Sequence, residues 1–270
     1  MSHRLTLCAD DFAQSPAISA GILALLERRR LSATSVFSLS PLWPSLASEL
    51  SPYAHHADIG LHCNLTHPFD DGARPLGHWL LHSQLRLLSR RQLCDVLLRQ
   101  IDAFADALGR LPAYLDGHQH VHALPVVRDA LFDAIALRWR APAKPYLRAP
   151  DRLGDGGDSQ GKGIVLKVLC AGFAGLTARR GYHTPSWFGG LYSLSAEADF
   201  PGLMRRWLRH CPDGSLIMCH PGLPANDSGD PIASVRQQEY RYLASPAFEE
   251  DCQRYDVTLL PFVQAAKLGS

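Results

Sequence analysis

Short apolar runs rich in β-branched residues alternate along the chain with longer segments whose apolar positions recur at helical spacing. That alternation predicts an α/β fold with a mostly parallel sheet. Seven strands are expected, at residues 4–9, Ser35–Leu39, Ala57–Leu61, Ala113–Leu115, Pro145–Leu147, Ser215–Cys219 and Val257–Leu260. The first helix carries the clearest signal. Ser15 stands at the N-cap, Pro16 presets the first turn, and Ile18, Ile22, Leu25 and Leu26 form one stripe. Further helices are expected over Arg90–Leu108, Pro125–Trp139, Lys162–Arg180, Ala196–His210 and Ser234–Leu243. Seven strands without a long linker or a repeat predict one closed or nearly closed (β/α) barrel over residues 1–270, although alternation alone also permits an open doubly wound sheet.

The Gly-rich stretch at about 153–163 matches the first seven positions of a phosphate loop from Gly156 to Lys162. Its eighth position is Gly163, where Ser or Thr is required, and no strand precedes it. It is expected to be a mobile surface loop. Net charge is +1, which gives no global field for nucleic acid or an anionic membrane, and Arg28-Arg29-Arg30 suits the C-terminal end of the first helix. No apolar stretch is long enough for a membrane span, and no signal segment precedes the first strand. Cytoplasmic location is the resulting expectation. Seven cysteines without a metal-binding or disulfide-framework spacing read as small buried hydrophobes. Of those near candidate residues, alternation puts only Cys8 on the face of Asp10.

Polar residues gather just past the ends of the apolar runs: Asp10 and Asp11, His62, Asp116 and His118, Arg148, and His220. In a parallel barrel all these strand ends share one mouth, so residues far apart in sequence converge. Asp10 and Asp11 have no capping duty, since Ser15 already caps the helix that follows. A lone His62 reads more often as a hydrogen-bonded core residue than as a ligand. Three alternating histidines at 118, 120 and 122 would face one side of an extended segment. His118, nearest the strand end, is then the ligand, with His120 and His122 either packed beneath it or supporting the ligands from behind. Carboxylate oxygen with imidazole nitrogen suits a divalent metal and metal-assisted chemistry. Arg148 or Asp116 could orient Asp10 or a ring hydroxyl. His220, held before Pro221-Gly222, suits a positioned acid or base. Trp187, Phe188 and Tyr192, spaced by Gly189-Gly190, offer either a platform for a pyranose ring or plugs for the barrel.

Four segments together resemble the YdjC-like carbohydrate deacetylases, which include chitooligosaccharide deacetylases and hopanoid-biosynthesis-associated deacetylase-like proteins. They are Ala9-Asp10-Asp11-Phe12, Gly60-Leu61-His62-Cys63-Asn64-Leu65-Thr66, Leu115-Asp116-Gly117-His118-Gln119-His120-Val121-His122, and Met218-Cys219-His220-Pro221-Gly222. The resemblance runs from residue 4 to about residue 260 and implies a distorted barrel related to the polysaccharide deacetylases. It implies Asp11, His62 and His118 as metal ligands and Asp10 as catalytic base. Two positions depart from the family pattern: Ala13 stands where Gly is usual, and Gly117 where Ser is frequent.

The expected activity is hydrolysis of an N-acetyl group from an acetylated amino sugar, a small molecule, an oligosaccharide or a lipid-linked glycan. Water activated by one divalent ion attacks, Asp10 takes its proton, and His220 returns one to the leaving nitrogen. Ligand softness favours zinc, and the family's habit favours magnesium. Two rivals stand beside this reading. One is another barrel metal hydrolase, a phosphoesterase or amidohydrolase, which would generally bring more ligands and a first-strand His-x-His. The other is a non-catalytic carbohydrate-binding protein on the same scaffold. No nucleic-acid partner is expected, and homodimerisation is the commonest state for a soluble oligomer.

Overall fold

A computed structural model describes residues 3–140, 143–225 and 229–267. Its strands are β1 (His3–Phe12), β2 (Ala33–Val36), β3 (Asp58–Cys63), β4 (Tyr114–Gly117), β5 (Tyr146–Leu147), β6 (Phe188–Gly189), β7 (Ser215–Cys219) and β8 (Val257–Leu259). Its helices are α1 (Pro16–Glu27), α2 (Trp43–Leu50), α3 (Leu76–Gln84), α4 (Arg90–Leu108), α5 (Val127–Arg138), α6 (Gln160–Leu169), α7 (Phe173–Arg179), α8 (Phe200–His210), α9 (Ala233–Leu243), α10 (Pro246–Arg254) and α11 (Phe262–Lys267). Every strand pairing is parallel, in the order β5-β4-β3-β2-β1-β7-β6. β8 pairs with the start of β1, from His3 to Leu5, below the point where β2 joins at Cys8.

The sheet curls until its two edges approach. They meet through a single bridge between Leu153 and Phe188, supported by the Gly154 N–H donating to the Phe188 carbonyl. The result is a distorted, incompletely closed barrel. Tyr114 and Tyr146 stack inside it, joined by Phe188, Leu216, Met218 and Phe262. Gly60 on β3 leaves room for this plug, because a Cβ there would fall 2.4 Å from the Tyr114 ring. The larger apolar cluster lies between the sheet and the surrounding helices, where the stripe of Ile18, Ile22, Leu25 and Leu26 is buried.

Four helices, α2, α3, α10 and α11, went unread in the sequence, as did the two-residue strand β6. The expected helix over Lys162–Arg180 is two, because Gly172 adopts φ 79° and breaks it. α6 begins at Gln160, so the last part of the Gly-rich stretch is helical. Ser15 caps α1 as expected, accepting from the Ile18 N–H at 3.3 Å.

Candidate active site

Two neighbouring residues on a regular strand point to opposite faces, yet Asp10 and Asp11 both reach the mouth. The register explains this. Ala9 pairs with Thr34 but Phe12 pairs with Val36, so β1 carries one extra residue there. This bulge, with Asp11 at φ 70°, turns the second carboxylate towards the same cavity as the first. Ala13 follows at φ 70°, a left-handed conformation that favours glycine and accounts physically for Gly at that position in the family pattern.

Asp11 Oδ1 lies 3.3 Å from His62 Nε2 and 3.2 Å from His118 Nδ1. Neither contact has hydrogen-bond geometry, and this buried oxygen has no donor among the described residues. The other Asp11 oxygen accepts from Arg236 Nη2 at 2.8 Å. One carboxylate oxygen and two imidazole nitrogens therefore surround a shared gap, and such a donor set fits a borderline divalent cation. His62 is fixed from behind, its Nδ1 lying 2.7 Å from Asp116 Oδ1 and 3.1 Å from Ser35 Oγ. A carboxylate behind a ligating imidazole sets the ring's orientation and tautomer. Burial opposes a charge on His62, but Asp116, Asp10 and Asp11 outweigh it and push its pKa up to about 10. The surrounding carboxylates thus create a demand for positive charge at this point.

Asp10 sits one layer deeper. Arg148, fully buried, grips it with Nη1 to Oδ2 at 2.7 Å and Nη2 to Oδ1 at 2.6 Å, and lies 2.5 Å from Asp116 Oδ2. Burial raises the Asp10 pKa, and the Arg148 guanidinium overcomes that and holds it well below the usual carboxylate range. Arg148 therefore orients Asp10 and Asp116, and its burial removes it from contact with a ring hydroxyl. Cys8 lies beneath, its Sγ 3.5 Å from Asp10 Oδ1, on the face expected for it. Across the mouth, His220 Nε2 stands 4.0 Å from Asp10 Oδ2, and its Nδ1 is 4.0 Å from Glu239 Oε1. Glu239 also accepts from the His220 backbone N–H and, at 2.6 Å, from the Tyr192 hydroxyl.

The extended His118–His122 segment is corrected. Residues His118–Ala123 form a 3-10 turn in which Gln119 and His120 take φ 52° and 61°, so side-chain alternation does not apply. His118 enters the cavity edge-on to Phe37, and His120 lines the cavity against the edge of Phe188. His122 lies elsewhere, donating from Nε2 to the Arg148 carbonyl at 2.8 Å. Burial pushes the His122 pKa down to about 4. A Cβ on Gly117 would fall 2.9 Å from His122 Nδ1, so a side chain at this departure from the family pattern must be accommodated by that ring.

Of the two readings of the aromatic residues, packing inside the protein fits and a sugar platform does not. Phe188 plugs the barrel, Tyr192 is buried on Glu239, and Trp187 packs over Gly154 and Gly189 outside the cavity. The sequence reading missed Ser35, His67, Arg236 and Glu239. His67 forms cavity wall three residues after Asn64, whose Oδ1 accepts its N–H. Arg236 and Glu239 lie one turn apart on α9 and face the site. A cation and a carboxylate at buried helical spacing were the only signals they offered.

The cavity holding these groups has a volume of about 830 Å³. Its floor is polar, with Asp10, Asp11, His62, His118 and His220; its walls are largely apolar, with Pro75, Leu76, Leu80, Val165, Leu166, Leu169, Leu191, Leu194 and Ile232, interrupted by Gln14, Thr66, His67, Gln119, Lys162, Asp230 and Arg236.

Fold and site define a parallel β/α barrel with a candidate metal centre at its carboxyl-end mouth. The YdjC-like protein family matches residues 4–254, and the chain belongs to that family. It is 28% identical over 260 residues to a carbohydrate deacetylase of Mus musculus, covering 82% of this chain and 79% of that protein. It is 26% identical over 231 residues to a chitooligosaccharide deacetylase of Serratia marcescens, covering 82% of each. In fold it is similar to the crystal structure of an Enterococcus faecalis V583 protein assigned to cellobiose-phosphate cleavage, at TM-score 0.70 and 20% identity, covering 98% of this chain and 99% of that one.

Proposed function

We propose that the chain is a metal-dependent carbohydrate deacetylase that hydrolyses the N-acetyl group of an amino sugar. The observation that carries this is the orphaned Asp11 Oδ1 between His62 and His118, with Asp10 and His220 facing each other beside it. Family membership and relatives that are carbohydrate deacetylases support the same chemistry.

Asp11, His62 and His118 would hold the ion. When bound, a divalent cation polarises the acetyl carbonyl and lowers the pKa of water from 15.7 towards about 7, which offsets the weak basicity of Asp10. Asp10, kept ionised by Arg148, accepts the proton of the attacking water as the oxygen bonds to the acetyl carbon. His220 sits on the opposite side of the 4.0 Å gap and donates a proton to the sugar nitrogen as the C–N bond breaks. Glu239 orients His220, and Asp116 orients His62 and Arg148. The products are acetate and the free amine.

The substrate that best suits the cavity is a lipid-linked glycan. An oligosaccharide would set many hydroxyls against the apolar walls, where unpaired polar groups are costly, whereas an apolar appendage is at home there. The chain acts as one catalytic domain, and the Gly-rich stretch leads into α6, whose Gly161 and Lys162 line the mouth. Residence is cytoplasmic.

The test is acetate release from N-acetylglucosamine oligomers and from an N-acetylglucosamine alkyl glycoside. Zinc, magnesium, cobalt and manganese are each returned separately to chelator-treated protein. Deacetylation only after metal return, with the alkyl glycoside preferred, is expected. Phosphate release from a phosphoester, or sugar affinity without turnover in metal-replete protein, would favour the rival readings instead.

A further inference from the structure

The cavity mouth is flanked by α3 on one side and α6 on the other, tied together by Gln84 Nε2 donating to the Leu169 carbonyl at 3.2 Å. Their inner faces give Leu76, Leu80, Leu166 and Leu169 to the cavity wall, and Val165 stands at the rim, lining the cavity while 56% exposed. Their outer faces are apolar too. Among the described residues, most of the exposed large apolar side chains gather here: Leu81, Leu85 and Leu87 are 58–67% exposed, and Ile164, Val165 and Val168 are 56–68% exposed, while Leu137 on α5 and Val263 on α11 stand apart from them. Leu81 with Leu85, and Ile164 with Val168, stand four apart and so share a helix face. The apolar surface thus continues from the cavity, over its rim, into open solvent. Patches of this kind mark contact sites.

Charge narrows the identity of what covers it. Residues 73–94 and 159–196 contain no Asp or Glu, but they hold Arg74, Arg86, Arg90, Arg91, Lys162, Lys167, Arg179 and Arg180. Arg90 pairs with Asp133, and Arg180 lies 3.9 Å from Asp129. Arg86, Arg91, Lys162, Lys167 and Arg179 have no carboxylate partner among the described residues. On α3, its following turn and α6 themselves, Arg86, Lys162 and Lys167 are the only charged residues, so the aliphatic patch carries basic side chains and no acidic ones in a chain of net charge +1. A second copy docking two-fold on this face would set these like charges against each other. An anionic bilayer satisfies both features, taking the aliphatic side chains into its interface and the basic ones onto its headgroups. No single helix among the described residues is long and apolar enough to cross a membrane. α6 and α7 reach that composition only as a pair bent by 41°.

We infer that α3 with its following turn, together with α6, forms a docking face for an anionic lipid surface, presenting the cavity mouth to the bilayer. This goes beyond the proposed deacetylation, and its readout needs no turnover, so the two readings fail separately. The experiment is co-sedimentation of the full chain with vesicles of phosphatidylcholine alone and of phosphatidylcholine with phosphatidylglycerol. Wild-type protein is expected to sediment with the anionic vesicles and to be released as salt is raised. The double variant Leu85→Glu, Val168→Glu should lose partitioning by at least about tenfold. It should keep its thermal unfolding midpoint and its activity on a water-soluble acetylated sugar. Lys167→Glu should weaken binding to anionic vesicles alone. Absence of wild-type sedimentation with the anionic vesicles, or equal sedimentation of the double variant, would overturn the inference. A wild-type dimer in sedimentation velocity that the double variant dissolves, without vesicle binding, would overturn it in favour of a second copy.

Discussion

Arg236 Nη2 donates to Asp11 Oδ2 at 2.8 Å, joining two residues 225 positions apart in sequence. Its Nε lies 2.6 Å from Asp230 Oδ2, so one guanidinium neutralises two buried carboxylates. By occupying one Asp11 oxygen, it leaves the other for His62 and His118. Removing its charge strands a carboxylate in a buried site, a change that typically costs ~3–5 kcal/mol. Arg236→Met in chelator should therefore lose stability of about that size by urea unfolding, and Arg236→Lys should recover part of it. A loss below ~1 kcal/mol would show that Arg236 does not hold Asp11.

His118 is the most exposed of the three candidate ligands, at 21% of its side chain, and it belongs to a surface mouth rather than to the core. His118→Ala should remain folded and lose the bound ion. Two measurements check this: elemental analysis after dialysis against metal, and the rise in unfolding midpoint on metal addition, which wild-type protein should show and the variant should lack. Stoichiometric metal in the variant would remove His118 from the ligand set.

Strand-end logic brought Asp10, Asp11, His62, Asp116, His118, Arg148 and His220 to one mouth, because parallel strands deliver their carboxyl ends to the same side whatever the loop lengths. It did not find the bulge that lets adjacent Asp10 and Asp11 share a cavity, since an extra residue leaves no mark in the hydrophobic pattern. It assumed an extended segment for His118–His122, and two positive φ values cancel the alternation that segment would have had. Arg236 and Glu239 were invisible for a different reason. On α9 they look like solvent-facing charges, and only tertiary packing on Asp11 and His220 makes them part of the site. The helix expected over Lys162–Arg180 failed at Gly172, where a left-handed residue divides one apolar run into α6 and α7.

Asp10 and His220 carry different halves of the proposed proton transfer, and leaving-group chemistry separates them. Asp10→Asn should retain metal and lose ~10²–10⁴-fold in kcat, because base catalysis is needed for every acetyl substrate. His220→Ala should lose a similar factor on the amide but far less on an activated acetyl ester, whose departing oxygen needs no proton. Equal losses on both substrates would reduce His220 to a wall residue.

Asp58 ties folding stability to pH away from the site. It sits at the start of β3, buried, with the Val263 N–H donating to it at 3.3 Å. Burial raises its pKa to about 6 despite that hydrogen bond, against about 3.9 in the unfolded chain. Below about pH 4 both states are protonated and Asp58 is neutral to stability. As pH rises from about 4 to about 6 the unfolded chain releases the proton first, so the folded state loses ground, by at most about 3 kcal/mol, and the loss levels off above pH 6. Asp58→Asn should therefore be more stable than wild type at pH 7.5 and should nearly match it at pH 4. Urea unfolding of both proteins across that interval gives the difference directly, with other titrating groups cancelling between them. A difference that stays constant with pH would mean that Asp58 titrates in the fold as it does in the unfolded chain.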